Sequence, residues 1–377
     1  MKCFAFFVGL LAIGMVSGVQ AQPKSTTDRL YVGTYSIRGS EGIYAVDFNR
    51  ASGELSIVGT ASNKQNPSFL ALHPSKKYLY AVNESSASAA GASAYKIDKA
   101  AGTLTLLNQQ ATEGSGPCHV SIDKAGKMAF VSAYGGGVFT ALPIEADGTL
   151  GTLVERVQYE GKNPDNARQD GPHAHSATVS PDSKQVYVAD LGNDRVYIYN
   201  IGGNKPVPNA MPFVTVKKGS GPRHIAMHPN GRFVYLVEEL TSSMAVFTRN
   251  PKTGALTLIQ EGIATLPTDF TGKNKNTSAD IHIDAAGKYI YQSNRGHNEL
   301  AVLKIGTNGV PTLVGHVPTG GKTPRNFWLD PRGQFVIVAN QDSDNLVVFR
   351  RNATTGMLTP TGQELKIPAP VCVISGQ

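Results

Sequence analysis

The chain has 377 residues, 41% of them apolar and only 17% charged, with 40 glycines and 22 prolines. That much apolar sequence can bury a large core, and frequent turn formers with few charges point to many short strands rather than long helices. The formal net charge of +7 favours an anionic ligand, but no Lys/Arg run or aromatic-interleaved basic stripe supports a nucleic-acid partner.

The first predicted element is a leader. Lys2 supplies a short positive start, Phe4 to Val16 is an apolar stretch too short to span a bilayer, and Val19-Gln20-Ala21 has the small-x-small pattern of a cleavage site. Residues 1–21 are expected to be a secretory signal cut after Ala21. The mature chain from residue 22 would then be periplasmic or secreted, with no membrane anchor. Cys118 and Cys372 are too few for a disulfide framework and are expected to be unpaired.

The rest of the chain repeats itself. "RLYVGTYS", "GIYAVDFN" and "LSIVGTAS" occupy residues 29–62 as three strand-like runs. Next comes "PSFLALHPSKKYLYAVNE" (67–84), followed by "ASAYKID" and "LTLLN". The same rhythm returns in "PCHVSIDKAGKMAFVSAY" (117–134), "AHSATVSPDSKQVYVADL" (174–191) and "PRHIAMHPNGRFVYLVEE" (222–239). It returns again in "SADIHIDAAGKYIYQSNR" (278–295) and "PRNFWLDPRGQFVIVANQ" (324–341). Each unit is a short apolar strand, a Pro/Asp/Gly/Lys turn and a Val/Tyr/Ile-rich strand, followed by two further strands. Four antiparallel strands repeated at this spacing are the signature of propeller blades, and no amphipathic helices of the kind a TIM barrel needs separate them. The last run, "PAPVCVIS", has no partner after it, while the first three runs lack a strand before them. The prediction is an all-β, seven-bladed β-propeller over residues 22–377, closed by the C-terminal strand completing the first blade. Closure removes exposed sheet edges without a partner chain, so a monomer is expected.

A gap-free alignment of the turns indexes the channel mouth. First-strand starts fall at Ser68, Cys118, His175, Arg223, Ala279, Arg325 and Val371, and second-strand ends at Glu84, Tyr134, Leu191, Glu239, Arg295 and Gln341. Both sets belong on one face of the disc. Charges converging there are costly unless paired, so they mark a polar site for a small anionic ligand. Around them, His173, His224, Arg325, Asp190, Asn294 and His297 are candidate ligand contacts. His73 and His228 lie in the "HP" turns of the opposite face and are expected to be turn residues. The H-x-H pair His173/His175 has the spacing of a metal site, but the remaining histidines are intermixed with arginines that repel a cation, and no metal or cofactor is expected. A metal-dependent alternative would need Asp190, Asp280, Asn294 and Asn340 to meet in the channel.

The segments "GPHAH…PDSKQVYVADLGNDRVYIY", "GPRHIAMHPNGRFVYLVEEL", "SADIHIDAAGKYIYQSNRGHNELAVL" and "PRNFWLDPRGQFVIVANQDSDNLVVF" closely resemble the lactonase family of seven-bladed propellers. That family includes the propeller-type 6-phosphogluconolactonase and the 3-carboxy-cis,cis-muconate lactonizing enzyme, and the resemblance spans essentially the whole mature chain. It implies metal-independent hydrolysis of a small sugar-acid lactone, with catalytic residues His175, Arg223, Glu239 and Arg295. Arg223 and Arg295 would hold the anion and the developing oxyanion, and either His175 or Glu239 would act as base on water. An export signal departs from cytosolic 6-phosphogluconolactonases. The alternatives are therefore an unphosphorylated sugar lactone, a muconate-type cyclisation, or a non-catalytic periplasmic binding scaffold.

Overall fold

Alternating β-branched and aromatic residues, broken by Gly- and Asp-rich turns, build seven four-stranded antiparallel sheets. The computed structural model describes residues 1–5, 26–86 and 89–376; most of the expected leader falls on residues 6–25 and lies outside them. Blades 2 to 7 occupy residues 70–111, 117–158, 174–215, 222–264, 277–318 and 324–366, each with its strands in chain order. Blade 1 joins Thr27–Thr34, Gly42–Asn49 and Leu55–Ser62 to the C-terminal strand Pro370–Ser375. That strand pairs antiparallel with the first, Leu30 opposite Ser375 and Val32 opposite Val373, and closes the ring as the repeat predicts.

Core residues divide into seven apolar clusters, and each lies between two consecutive blades rather than inside one. A single sheet cannot bury both of its faces, so each blade depends on its neighbours. At the closing interface Phe48 of blade 1 sits edge-on to Trp328 and Phe335 of blade 7, with centroids 6.0 and 5.0 Å apart. The outer strands show the opposite pattern. Ile57, Val58, Leu258 and Leu313 point to solvent because only one side of those strands has anything to pack against.

A second device recurs between blades. Tyr80, Tyr187, Tyr235 and Tyr291 are buried second-strand residues. They donate their hydroxyls to the carbonyls of Gly148, Gly254, Gly309 and Gly356 in the next blade, at 3.0, 2.7, 2.8 and 2.6 Å. All four glycines have positive φ, between 75 and 88°. A Cβ on any of them would meet a side chain of the preceding blade at 2.3–2.4 Å. Left-handed backbone and close approach together require glycine there, and each such hydrogen bond contributes about 1 kcal/mol net. On the same face, His73 and His228 reach the carbonyls of Gly126 and Gly287 at 2.9 and 3.0 Å. They are turn residues, as their position in the repeat predicts.

Candidate active site

The first strands line the channel, and most carry a bulge at the same place. The ladder shifts register between Pro117 and His119, Ala174 and Ser176, Pro222 and Ile225, Ser278 and Ile281, and Pro324 and Asn326. Cys118, His175, Arg223, Ala279 and Arg325 therefore fall out of the ladder. A bulge re-aims its extra residue, and here it turns His175, Arg223 and Arg325 toward the channel mouth. The second strands run back to the same mouth and deliver Glu84, Tyr134, Glu239 and Arg295.

These side chains enclose a cavity of about 250 Å³ walled by Glu84, Cys118, Tyr134, Arg168, His175, Glu239, Arg295 and Arg325. A narrower floor beneath it adds Ser68, Arg223, His224 and Asn326. Glu239 is the organising group and is 2% exposed. Its Oε1 lies 2.9 Å from Arg168 Nη2 and 3.1 Å from Arg295 Nη2, and its Oε2 lies 2.9 Å from Arg223 Nε. The last contact is off-line, so Glu239 Oε2 and Arg223 Nε lack hydrogen-bond partners among the described residues, as does Arg295 Nε. His175 Nε2 stands 3.8 Å from Glu239 Oε2.

Burial pushes the Glu239 carboxyl up, but Arg295, Arg223 and Arg168 outweigh it and hold the group ionised, at about 2. Burial, then Arg223, His224 and Arg325, push His175 well below the usual histidine range. Its imidazole is neutral at physiological pH and able to accept a proton. Arg325 makes no side-chain hydrogen bond or ion pair among the described residues, and its guanidinium lies 5.3 Å from the Tyr35 ring centroid. Four guanidinium groups thus face two carboxyls, an arrangement suited to an anionic group or a developing oxyanion.

Of the predicted residues, His175, Arg223, Glu239, Arg295 and Arg325 meet at this mouth. His224 lies one layer down the channel, on the floor, with Nδ1 2.8 Å from Asp280 Oδ1. His173 does not line the cavity. It stacks on Tyr134 at 4.3 Å and bonds the Tyr134 carbonyl and Asp170, so it braces the wall from behind. Asp190 accepts from the backbone N–H groups of His173, Gly192 and Asn193 and ties down the loop. Asn294 bonds Ser278 and Thr265 behind blade 6, and His297 pairs with Glu299 at 2.7 Å beside Phe270. These three are not brought to the cavity. Asn340 donates to the Thr319 carbonyl and Asp280 holds His224, His282 and Asn326, so Asp190, Asp280, Asn294 and Asn340 each serve separate partners.

Sequence reasoning missed Arg168. It hangs from the blade 3–4 connection, where Asn166 caps a short 3-10 turn by accepting from Arg168 N–H at 2.9 Å, and Gln169 is buried against the Leu191 carbonyl. Arg168 is thereby held over the mouth, bonded to Tyr134 Oη and Glu239. No other repeat has this loop, so nothing in the alignment could index it. Cys118 and Cys372 are free and buried, as expected. The opposite end of the channel opens into a funnel of about 510 Å³, but its described lining contains no arginine, and its one carboxylate, Asp280, is paired with His224 and His282.

Comparison with known proteins agrees with this fold. Residues 29–375 match the family model described as lactonase, 7-bladed beta-propeller. The chain is 35% identical over 344 residues to the 6-phosphogluconolactonase of Bacillus subtilis, covering 91% of this chain and 97% of that one. It is 37% identical over 350 residues to the 6-phosphogluconolactonase of Formosa agariphila, covering 90% and 96%. The solved structure of the periplasmic gluconolactonase of Pseudomonas aeruginosa superposes with a TM-score of 0.87 at 31% identity, covering 93% of this chain and 99% of that one. With the blade count, the closing strand and the matched length in agreement, the chain belongs to the lactonase family of seven-bladed β-propellers.

Proposed function

We propose that this lactonase opens the ring of a small sugar-acid lactone, phosphorylated or plain, by metal-independent hydrolysis at the arginine-lined mouth. The observation that carries this reading is the buried Glu239 carboxylate fastening Arg168, Arg223 and Arg295 around a cavity that also holds the neutral His175. His175 takes a proton from the attacking water as the new C–O bond forms. The imidazolium so produced stands 3.8 Å from the Glu239 carboxylate. Arg223 and Arg295, already oriented, receive the charge that develops on the carbonyl oxygen without reorganising. The C–O bond to the ring oxygen then breaks, that oxygen gains a proton, the hydroxy acid leaves, and the imidazolium gives up its proton to regenerate the neutral base. Both named 6-phosphogluconolactonases and the named gluconolactonase among the relatives support hydrolysis over cyclisation or mere binding.

Purified protein should accelerate opening of δ-gluconolactone or its 6-phosphate in a pH-indicator assay corrected for spontaneous hydrolysis, with undiminished rate in EDTA. Turnover lost to EDTA and restored by a divalent ion would replace this mechanism with a metal-assisted one. Residues 1–21 are proposed to direct export, a reading supported by the periplasmic relative. N-terminal sequencing of the protein recovered from the periplasm or medium should begin at Gln22. Recovery of the uncleaved chain in the cytoplasm would refute export.

A further inference from the structure

Two carboxyl groups wall the cavity, and they are placed differently. Glu239 has guanidinium groups close to both oxygens from three directions. Their positive charge opposes a proton on it. Glu84, at the second-strand end of blade 2, has no ion pair among the described residues; its side chain is held by hydroxyls. Tyr35 donates to Oε1 at 3.2 Å and Ser68 Oγ lies against Oε2. The Glu84 backbone is fixed as well, since its N–H donates to the Asn66 carbonyl and its carbonyl accepts from Asn66 Nδ2. Glu84 lines both the outer cavity and the floor. It and His175 flank the Cys118 wall, whose Sγ is 3.8 Å from His175 Nδ1. A ligand ring seated in the cavity would therefore meet both a neutral imidazole and a carboxyl.

Resting on the hydrolytic reading above, we propose that Glu84 is a further catalytic residue, the acid that protonates the departing ring oxygen while His175 takes the proton of the attacking water. The balance is simple. Water oxygen bonds the carbonyl carbon and its proton passes to His175. The bond from that carbon to the ring oxygen breaks, and the ring oxygen takes the Glu84 proton to become a hydroxyl. The imidazolium then returns its proton to the Glu84 carboxylate through water, and the product acid ionises in solution.

The groups facing Glu84 are Ser68 of its own blade, Tyr35 of blade 1, Cys118 of blade 3, Arg223 of blade 5 and Arg325 of blade 7. Burial raises the Glu84 carboxyl against the opposing pull of Arg325, Ser68, Tyr35 and Arg223. The Cys118 thiol is pushed by burial, and then by Glu84, up to about 12, so it does not compete as an acid near neutrality. One carboxyl held up and its neighbour held down is the pattern by which a single site assigns acid and ion-pairing roles.

The test is the Glu84→Gln variant, which keeps the side-chain size and the acceptor but not the proton. Its kcat should fall about 10²-fold or more with KM little changed. The alkaline limb of kcat/KM against pH, which reports loss of the Glu84 proton, should disappear. Ser68→Ala removes a contact that favours the ionised carboxyl, so it should move the wild-type alkaline limb to higher pH while leaving the acidic limb in place. If Glu84→Gln keeps wild-type kcat and the alkaline limb, or if Ser68→Ala leaves that limb where it was, the proposal fails while the hydrolytic reading stands. Wild-type protein that opens no lactone overturns both.

Discussion

Glu239→Gln should lower kcat/KM for lactone opening by about 10²-fold or more and should also destabilise the fold. The carboxylate is 2% exposed, and Arg168, Arg295 and Arg223 approach it at 2.9, 3.1 and 2.9 Å. An amide of the same shape carries no charge and aims its NH2 at a guanidinium, so positive charges are left buried without compensation. Removing one partner from a buried ion-pair network typically costs about 3–5 kcal/mol. The pH dependence has a definite sign. The folded carboxyl titrates at about 2, below its ordinary value of 4.5. Its contribution is thus fully present above the unfolded value and is lost as pH falls from there through the folded one. On the order of 3 kcal/mol is involved. Urea unfolding at pH 6 and at pH 3 should show the gap between wild type and variant narrowing at the lower pH, where the carboxyl of the unfolded wild-type chain has taken up its proton while the folded one is still largely ionised. A variant with wild-type turnover and an unchanged urea midpoint would mean that Glu239 organises nothing.

How much of this site the sequence discloses depends on which residues the repeat can index. His175, Arg223 and Arg325 stand at one position of the first strand, and Glu239 and Arg295 at one position of the second. Superposing turns places them together before any coordinates are known. The bulges that turn the first-strand residues inward are invisible in the letters, yet they recur in register, so the superposition survives them. Asp190 and Asn294 show the limit. They sit one residue before the second-strand end, and because side chains alternate across a strand, that step carries them away from the cavity. Asn83, Glu238 and Asn340 occupy the same position, and all five are buried polar residues. Their hydrogen bonds tie neighbouring strands and loops together. His224 is one step too far in the other direction, down the channel. Arg168 escapes because a loop unique to one blade has no counterpart to superpose. The tyrosine–glycine latches were legible in principle, since the glycine of "ADG", "KTG", "TNG" and "TTG" recurs in the same turn, but only the packing shows why a Cβ is forbidden there.

Deleting residues 368–377 should abolish folding, although none of these residues belongs to the catalytic cluster. Without the strand Pro370–Ser375, blade 1 loses its innermost member, and the paired edge running from Leu30 to Thr34 is left open along the channel. Val371, Cys372 and Val373 are 2%, 0% and 4% exposed, and Val373 and Cys372 contribute to the clusters on the two sides of blade 1. Burial of one such side chain is worth about 1.5–3 kcal/mol. Three of them, with the ladder, rival the roughly 5–15 kcal/mol that separates a folded domain from its unfolded chain. The truncated chain should therefore be recovered as aggregate, or as a species lacking a cooperative thermal transition. What the ring requires is the strand and not its place in the chain. Gly376 N–H donates to the Arg29 carbonyl at 2.8 Å, so the end of the closing strand already lies beside the start of the next. A circular permutant that begins at residue 368 and joins residue 376 to residue 26 through a short glycine-rich turn should regain both a cooperative transition and lactone turnover. If the truncation melts like the full chain, or the permutant stays unfolded, closure by this strand is not what holds the seven blades together.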